Sequence, residues 1–465
     1  LSTIVLIGTY EMGRQSFGLA STAAWLRESG HRVHLCDLSR DTLDPAAAAA
    51  ADVVAWHLPM HTATRLLPPV VAEVRRRNPR ARLWAFGLYA PLNAAWLRTL
   101  GIRTVFGPEA EAALVEAASR LACGDRIDAD GDTPAADAPP DGTPGRPPLA
   151  RLAFRVPDRT GLPPLERYAR LRVGGDRRVV GYTEASRGCK HRCRHCPIVP
   201  VYDGRFRVVD VDVVLEDVAR QVQAGARHIT FGDPDFLNGP RHAMAVAERL
   251  HAEHPGVTYD VTIKVEHLLA RPDLLPRLRE TGCLFVTSAV ESIDDAILAR
   301  LEKGHTRQDV ERVVGACCAA GLTLVPTFVA FTPWTTKERY AALLQACVDL
   351  DLVDAVAPVQ LTIRLLVTEG SRLLELGDVR DLVGPFDREA LAYPWRHPDP
   401  GMDSLQSELT ALVGLRLVRG RREVFLEIWR RVSDRWPGLL PIEPFPPGRV
   451  MARADVPWLD EPWYC

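Results

Sequence analysis

Through residues 1–123 short apolar runs alternate with stretches of helical period. Thr3–Ile7, Arg32–Asp37, Asp52–Trp56 and Leu83–Phe86 read as strands, and Gln15–Ser29, Thr62–Arg77 and Pro91–Leu100 as helices. This βα alternation predicts an α/β unit, a Rossmann-like doubly wound domain over 1–123. Its ligand-accessible loops are then Gly8-Thr9-Tyr10 and Gly87-Leu88-Tyr89, at strand C-termini.

Residues 124–150 break the pattern, being rich in Gly, Pro, Asp and Ala and poor in large apolar side chains, which predicts a flexible linker. The alternation resumes with strands expected at 179–185, 228–231, 257–263, 283–290, 322–330 and 356–366, giving a partial (β/α)6 TIM-type barrel over 151–392. Val214, Leu215, Val218, Ala219 and Val222 share one helix face, with Gly225 as its stop, and Thr306 and Thr335 are candidate N-caps. A helical stretch Ser404–Trp436 and an extended Pro-rich tail from Pro437 complete a C-terminal region, 393–465.

Charge changes the picture little: the net formal charge of -2 gives no reason to expect nucleic acid as a partner, and Arg75-Arg76-Arg77 reads as a solvated helix end. No apolar run reaches membrane-spanning length, so a cytoplasmic location without membrane contact is expected. With no initiating Met and a finish at Cys465, both ends are expected to continue in the native chain.

The chemistry concentrates in Gly188-Cys189-Lys190-His191-Arg192-Cys193-Arg194-His195-Cys196, a loop after the first barrel strand, on the face where barrel active sites are built. Three thiolates suit three irons of a cubane and leave the fourth iron open. The alternative is a structural zinc site that uses the three cysteines with His191 or His195, although no second paired-cysteine knuckle follows. Cys36, Cys123, Cys283 and Cys347 read as small apolar residues, and of the neighbours Cys317 and Cys318 one faces the core.

The C-x3-C-x2-C spacing after a barrel strand resembles the radical SAM superfamily, with the likeness running over about residues 150–375. That resemblance implies an enzyme with a 4Fe-4S cluster on Cys189, Cys193 and Cys196, S-adenosylmethionine (SAM) bound at the open iron, and an external electron donor. It further implies that Gly232, Asp233, Pro234 and Asp235 hold the SAM amino group, that Glu291 and Ser292 face its ribose and sulfonium, and that Arg364 contacts its carboxylate. Lys264 is a second candidate for the carboxylate, Phe328–Trp334 stands where adenine is contacted, and His195 replaces the aromatic residue common before the third cysteine.

The first 123 residues resemble a cobalamin-binding domain, but Gly8-Thr9-Tyr10-Glu11-Met12-Gly13 lacks the histidine of D-x-H-x-x-G. Cobalamin near Tyr10, Glu11, Met12 and Gly87 is therefore possible but not favoured over a retained scaffold. Within its branch the chain is similar to proteins named for cysteine-containing tails, including the radical SAM enzyme of arsinothricin biosynthesis. That likeness implies transfer of a 3-amino-3-carboxypropyl group from SAM to arsenite, a thiophilic substrate for which Cys465 is an intelligible catalytic ligand. Open alternatives are a 5'-deoxyadenosyl-radical enzyme, a cobalamin-dependent methyltransferase and, outside catalysis, a metal or redox sensor.

Overall fold

The computed structural model describes residues 1–123, 153–414, 420–445 and 456–460. The linker 124–150 and Cys465 lie outside the described residues.

In the N-terminal part, β1 (Thr3–Gly8), β2 (Arg32–Asp37), β3 (Val53–His57), β4 (Arg82–Phe86) and β5 (Thr104–Val105) form a parallel sheet of order β2-β1-β3-β4-β5. Ile4 and Leu6 of β1 pack with Leu19, Ala23 and Leu26 of the helix Phe17–Glu28, whereas Val5 and Ile7 pack with Val71 and Val74 of Leu67–Arg77 on the other face. Helices on both faces explain why β1 is an unbroken apolar run. The order reverses around β1 and β3, so the loops beginning at Gly8 and following His57 flank the ligand-binding crevice of such a sheet. The helix expected over Thr62–Arg77 divides into His61–Arg65 and Leu67–Arg77, because Pro68 and Pro69 are tolerated only in a first turn.

The second part carries β6 (Arg170–Val173), β7 (Asp176–Thr183), β8 (Ser186–Gly188), β9 (Phe206–Val208), β10 (His228–Phe231), β11 (Thr258–Thr262), β12 (Cys283–Glu291), β13 (Thr323–Phe328) and β14 (Trp458–Leu459). Strands β7 and β10–β13 are parallel neighbours in a curled half-barrel of order β13-β12-β11-β10-β7-β6-β14, while β8 and β9 form a separate hairpin. The strand expected over 356–366 is not formed. In its place stand a 3-10 turn, Pro358–Leu361, and a single bridge between Phe331 and Arg364. Pro358 has no N–H to give, and the Gln360 side chain accepts the Phe328 N–H at 3.0 Å, taking up a donor at the end of β13.

Val214, Leu215 and Val218 are buried on the helix Val211–Gln223, as their spacing requires. Thr306 caps Arg307–Ala319 in a capping box with Asp309, but the cap of Lys337–Asp349 is Thr336, the Thr335 hydroxyl being bonded to Thr332. Cys317 is buried and Cys318 exposed. The C-terminal helical stretch is two helices, Pro400–Gly414 and Arg421–Arg435. From the tail, β14 pairs antiparallel with β6, itself antiparallel to β7, so Trp458 and Leu459 run toward the same end of the sheet as the cysteine loop. Among the described residues no helix is long and apolar enough to cross a membrane.

Candidate active site

The cysteine loop is carried by the β8–β9 hairpin, which brackets it between Gly188 and Phe206. Gly188 has φ +78°, and a Cβ there would come within 2.5 Å of the Arg205 carbonyl and of Tyr202, so only glycine allows the chain to turn into Cys189. Two side chains from the β10 end hold the hairpin. Asp233 accepts from the Ala185 N–H at 2.9 Å and the Ser186 hydroxyl at 2.5 Å, and Asn238 accepts from the Lys190 N–H while donating to the Gly188 carbonyl, both at 3.3 Å. Burial raises the Asp233 carboxyl to about 7, assisted by Glu184 and opposed by the bonds from Ser186 and Ala185.

Burial also raises the Cys189 thiol and pushes Cys196 up to about 12, so neither holds a thiolate without a neighbouring cation. An iron would supply that charge. Two buried lysines flank these thiols. Lys264 Nζ donates to Cys193 Sγ at 3.6 Å and pairs with Glu266, while Lys303 Nζ is 3.5 Å from Glu291 Oε1. His195 Nε2 is 3.2 Å from the same Glu291 oxygen. Burial alone would raise the Glu291 carboxyl, but the Lys303 ammonium and His195 outweigh it and hold it at about 2.

Of the residues expected at a SAM site, the structure thus brings His195, Glu291, Lys264 and Asp235 to the cysteine loop, Asp235 Oδ2 lying 4.0 Å from His191 Nε2. Gly232 lies under the Tyr182 hydroxyl, which a Cβ would strike, and Asp235 caps the turn Phe236–Asn238 through the Leu237 N–H at 3.0 Å. Pro234 lies between them, half-buried. Ser292 accepts from the Asp294 N–H at 3.1 Å, a local turn contact. Arg364 departs from expectation: its guanidinium donates to Asp403 and to the Trp395 carbonyl, both at 2.6 Å, and lies 3.5 Å over the Trp395 ring. The C-terminal region thus engages the charge meant for a carboxylate. Phe328 and Phe331 are buried core residues, and Trp334 donates to Asp378.

Sequence reasoning missed Lys303, Asn238, Glu266 and His267. Nothing local distinguishes Lys303 in Glu302-Lys303-Gly304-His305 from a surface lysine, yet it is buried against Glu291 at the end of β12.

The N-terminal domain grips the cysteine hairpin directly. Arg187, two residues before Cys189, pairs with Glu111 at 2.7 Å and Glu184 at 3.0 Å, and Arg207 of β9 pairs with Glu109 at 2.6 Å. The loop after β1 faces the end of β7, with Arg14 5.0 Å above the Tyr182 ring. A corrinoid at this crevice would find no imidazole in the D-x-H-x-x-G position. His57, at the end of β3, is turned to Ser16 (3.4 Å) and Glu11 (3.6 Å) and fills the space over Gly18. Ligation of cobalt by that motif is therefore not available at this crevice.

Residues 183–345 match the family described as the Radical SAM superfamily. The hopanoid C-3 methylase of Methylococcus capsulatus is 23% identical over 348 residues, covering 72% of this chain and 64% of that protein. The chain spans between 29% and 64% of the length of the first three curated relatives it matches. Among solved structures, the radical SAM methyltransferase TsrM from Kitasatospora setae superposes with a TM-score of 0.68 at 17% identity, covering 88% of this chain and 89% of TsrM. The cobalamin-dependent radical SAM enzyme OxsB gives a TM-score of 0.68 at 14% identity, covering 93% and 71%. Over residues 183–345 the chain is thus similar to the Radical SAM superfamily, and its fold is that of TsrM and OxsB.

Proposed function

We propose that this chain is an enzyme that reductively cleaves SAM, with Cys189, Cys193 and Cys196 as ligands of a 4Fe-4S cluster. The observation that carries the reading is the glycine-turned loop of three thiols with two buried lysines against it. When bound, the cluster supplies the electron that breaks a carbon–sulfur bond of the sulfonium. The chain's own residues prepare for it. Asp233 and Asn238 fix the hairpin, Lys264 and Lys303 supply positive charge beside thiolates and for a substrate carboxylate, and Glu291 orients His195 at the loop.

For the group transferred, the likeness to TsrM, OxsB and the hopanoid methylase favours methyl transfer with cobalamin bound at the β1–β3 crevice, against the preference drawn from the missing histidine. Transfer of the 3-amino-3-carboxypropyl group to arsenite stands as the second reading, supported only by sequence resemblance and by the softness of the Cys465 thiol. The adenosine product separates them under anaerobic reducing turnover. Radical methyl transfer consumes two SAM, releasing S-adenosylhomocysteine from the one that methylates cobalamin and 5'-deoxyadenosine with methionine from the one cleaved reductively, whereas aminocarboxypropyl transfer releases 5'-methylthioadenosine and adenosyl-radical chemistry without methyl transfer releases 5'-deoxyadenosine alone. Cobalamin-dependent formation of S-adenosylhomocysteine is expected. Arsenite-dependent 5'-methylthioadenosine from cobalamin-free protein would overturn the first reading in favour of the second.

A further inference from the structure

Beside the cysteines lies a second set of ligand-type side chains, which includes Asp235. His191 of the cysteine loop, Asp235 after β10 and His267 of the helix Val265–Ala270 after β11 bring one ligand atom each within 4.8 Å of one another. Asp235 is fully buried and His267 is 8% exposed.

Hydrogen bonding explains only part of the contacts inside the set: the two imidazoles are bonded through Nε2, whereas His267 Nδ1 has no partner. Asp235 Oδ2 is 2.8 Å from His267 Nδ1, yet that buried nitrogen has no hydrogen-bond partner, so its ring N–H is not directed at the oxygen. The two imidazoles meet Nε2 to Nε2 at 3.2 Å, and Asp235 Oδ2 is 4.0 Å from His191 Nε2. The close approach of Asp235 Oδ2 to the unpartnered His267 Nδ1 is one that a cation between them would relieve. The two separations from Asp235 Oδ2, 2.8 Å to His267 Nδ1 and 4.0 Å to His191 Nε2, lie either side of the roughly 3.3 Å between ligands of an ion bound tetrahedrally at about 2.0 Å. Asp235 Oδ1 accepts from the Leu237 N–H, and Oδ2, which faces the imidazoles, also accepts from the Lys264 N–H at 3.4 Å. Glu266 Oε2 stands 3.3 Å from His191 Nδ1 as a charged neighbour of that ring, and Lys264 balances the Glu266 charge.

We infer that His191, Asp235 and His267 form a mononuclear site for a divalent first-row transition ion, separate from the three cysteines. Two imidazoles and one carboxylate suit zinc or ferrous iron. The ion ties the cysteine loop to the ends of β10 and β11, and it withdraws Asp235 from the amino group of SAM.

Zinc alone is the probe, because cluster iron is then counted separately. The full chain is reconstituted anaerobically with iron and sulfide, equilibrated with micromolar zinc, desalted and analysed for both metals. About one zinc per chain is expected with iron unchanged, and His267→Ala and His191→Ala should each lower retained zinc about ten-fold or more. The zinc X-ray absorption spectrum of the unmutated chain should show nitrogen and oxygen neighbours. Sulfur in that shell, zinc taken up only as iron is lost, or zinc retained equally by the variants would overturn the assignment. Iron lost together with zinc in both variants would also overturn it, making the set a brace for the cysteine loop. The zinc ligand set is readable whether or not the cysteines hold a cluster, so failure here and failure of the proposed function are distinguishable.

Discussion

Lys303 Nζ stands 3.5 Å from Glu291 Oε1 in a buried ion pair beside the cysteine loop, with the carboxylate on a residue of φ +67°. Lys303 interacts electrostatically with Cys193 and Cys196 as well as with Glu291. Lys303→Met removes a positive charge next to the thiolates, so a cluster there should become harder to reduce, by on the order of tens of millivolts. Redox titration followed by electron paramagnetic resonance checks this, with Lys303→Arg restoring much of the shift. An unchanged midpoint would mean that the pair acts only in packing.

Asp233 provides a pH dependence. Its folded carboxyl is raised to about 7, above an unfolded value of about 3.9, so between these values the folded state holds the extra proton. Stability from this group is therefore present at low pH and is lost as pH rises toward and through 7. Asp233→Asn should flatten that part of the stability profile, measured by urea unfolding across pH 4–8. An identical slope in both proteins would contradict the assignment.

The Arg187–Glu111 pair couples the N-terminal domain to the cysteine hairpin, with both side chains almost fully buried. Glu111→Gln leaves a buried guanidinium with Glu184 as its remaining carboxylate partner, a loss on the order of 3 kcal/mol. A lower denaturation midpoint and reduced iron incorporation should appear together. Reduced stability with full iron loading would show that the domain supports the fold without shaping the loop.

Much of this was legible because its signals are local. Apolar runs flanked by turns located β1 to β4 and most of the half-barrel, and the three cysteines stood out by spacing. Thr104–Val105 is too short for any pattern, and the alanine run Pro45–Ala50 has no apolar periodicity. The apolar stretch from Val356 misled because it is buried without being a strand, Gln360 substituting for ladder bonds. Arg364 and Lys303 show the limit from opposite sides. Each charge is defined by a partner distant in sequence or by burial, Asp403 for one and the packing around β12 for the other.

The central claim is that Cys189, Cys193 and Cys196 hold a cluster that cleaves SAM. Anaerobically reconstituted protein should carry about four irons per chain, and a Cys→Ala change at any of these positions should abolish both the cluster and SAM cleavage. Fully active protein containing zinc in place of iron, or SAM cleavage that survives loss of these cysteines, would contradict it.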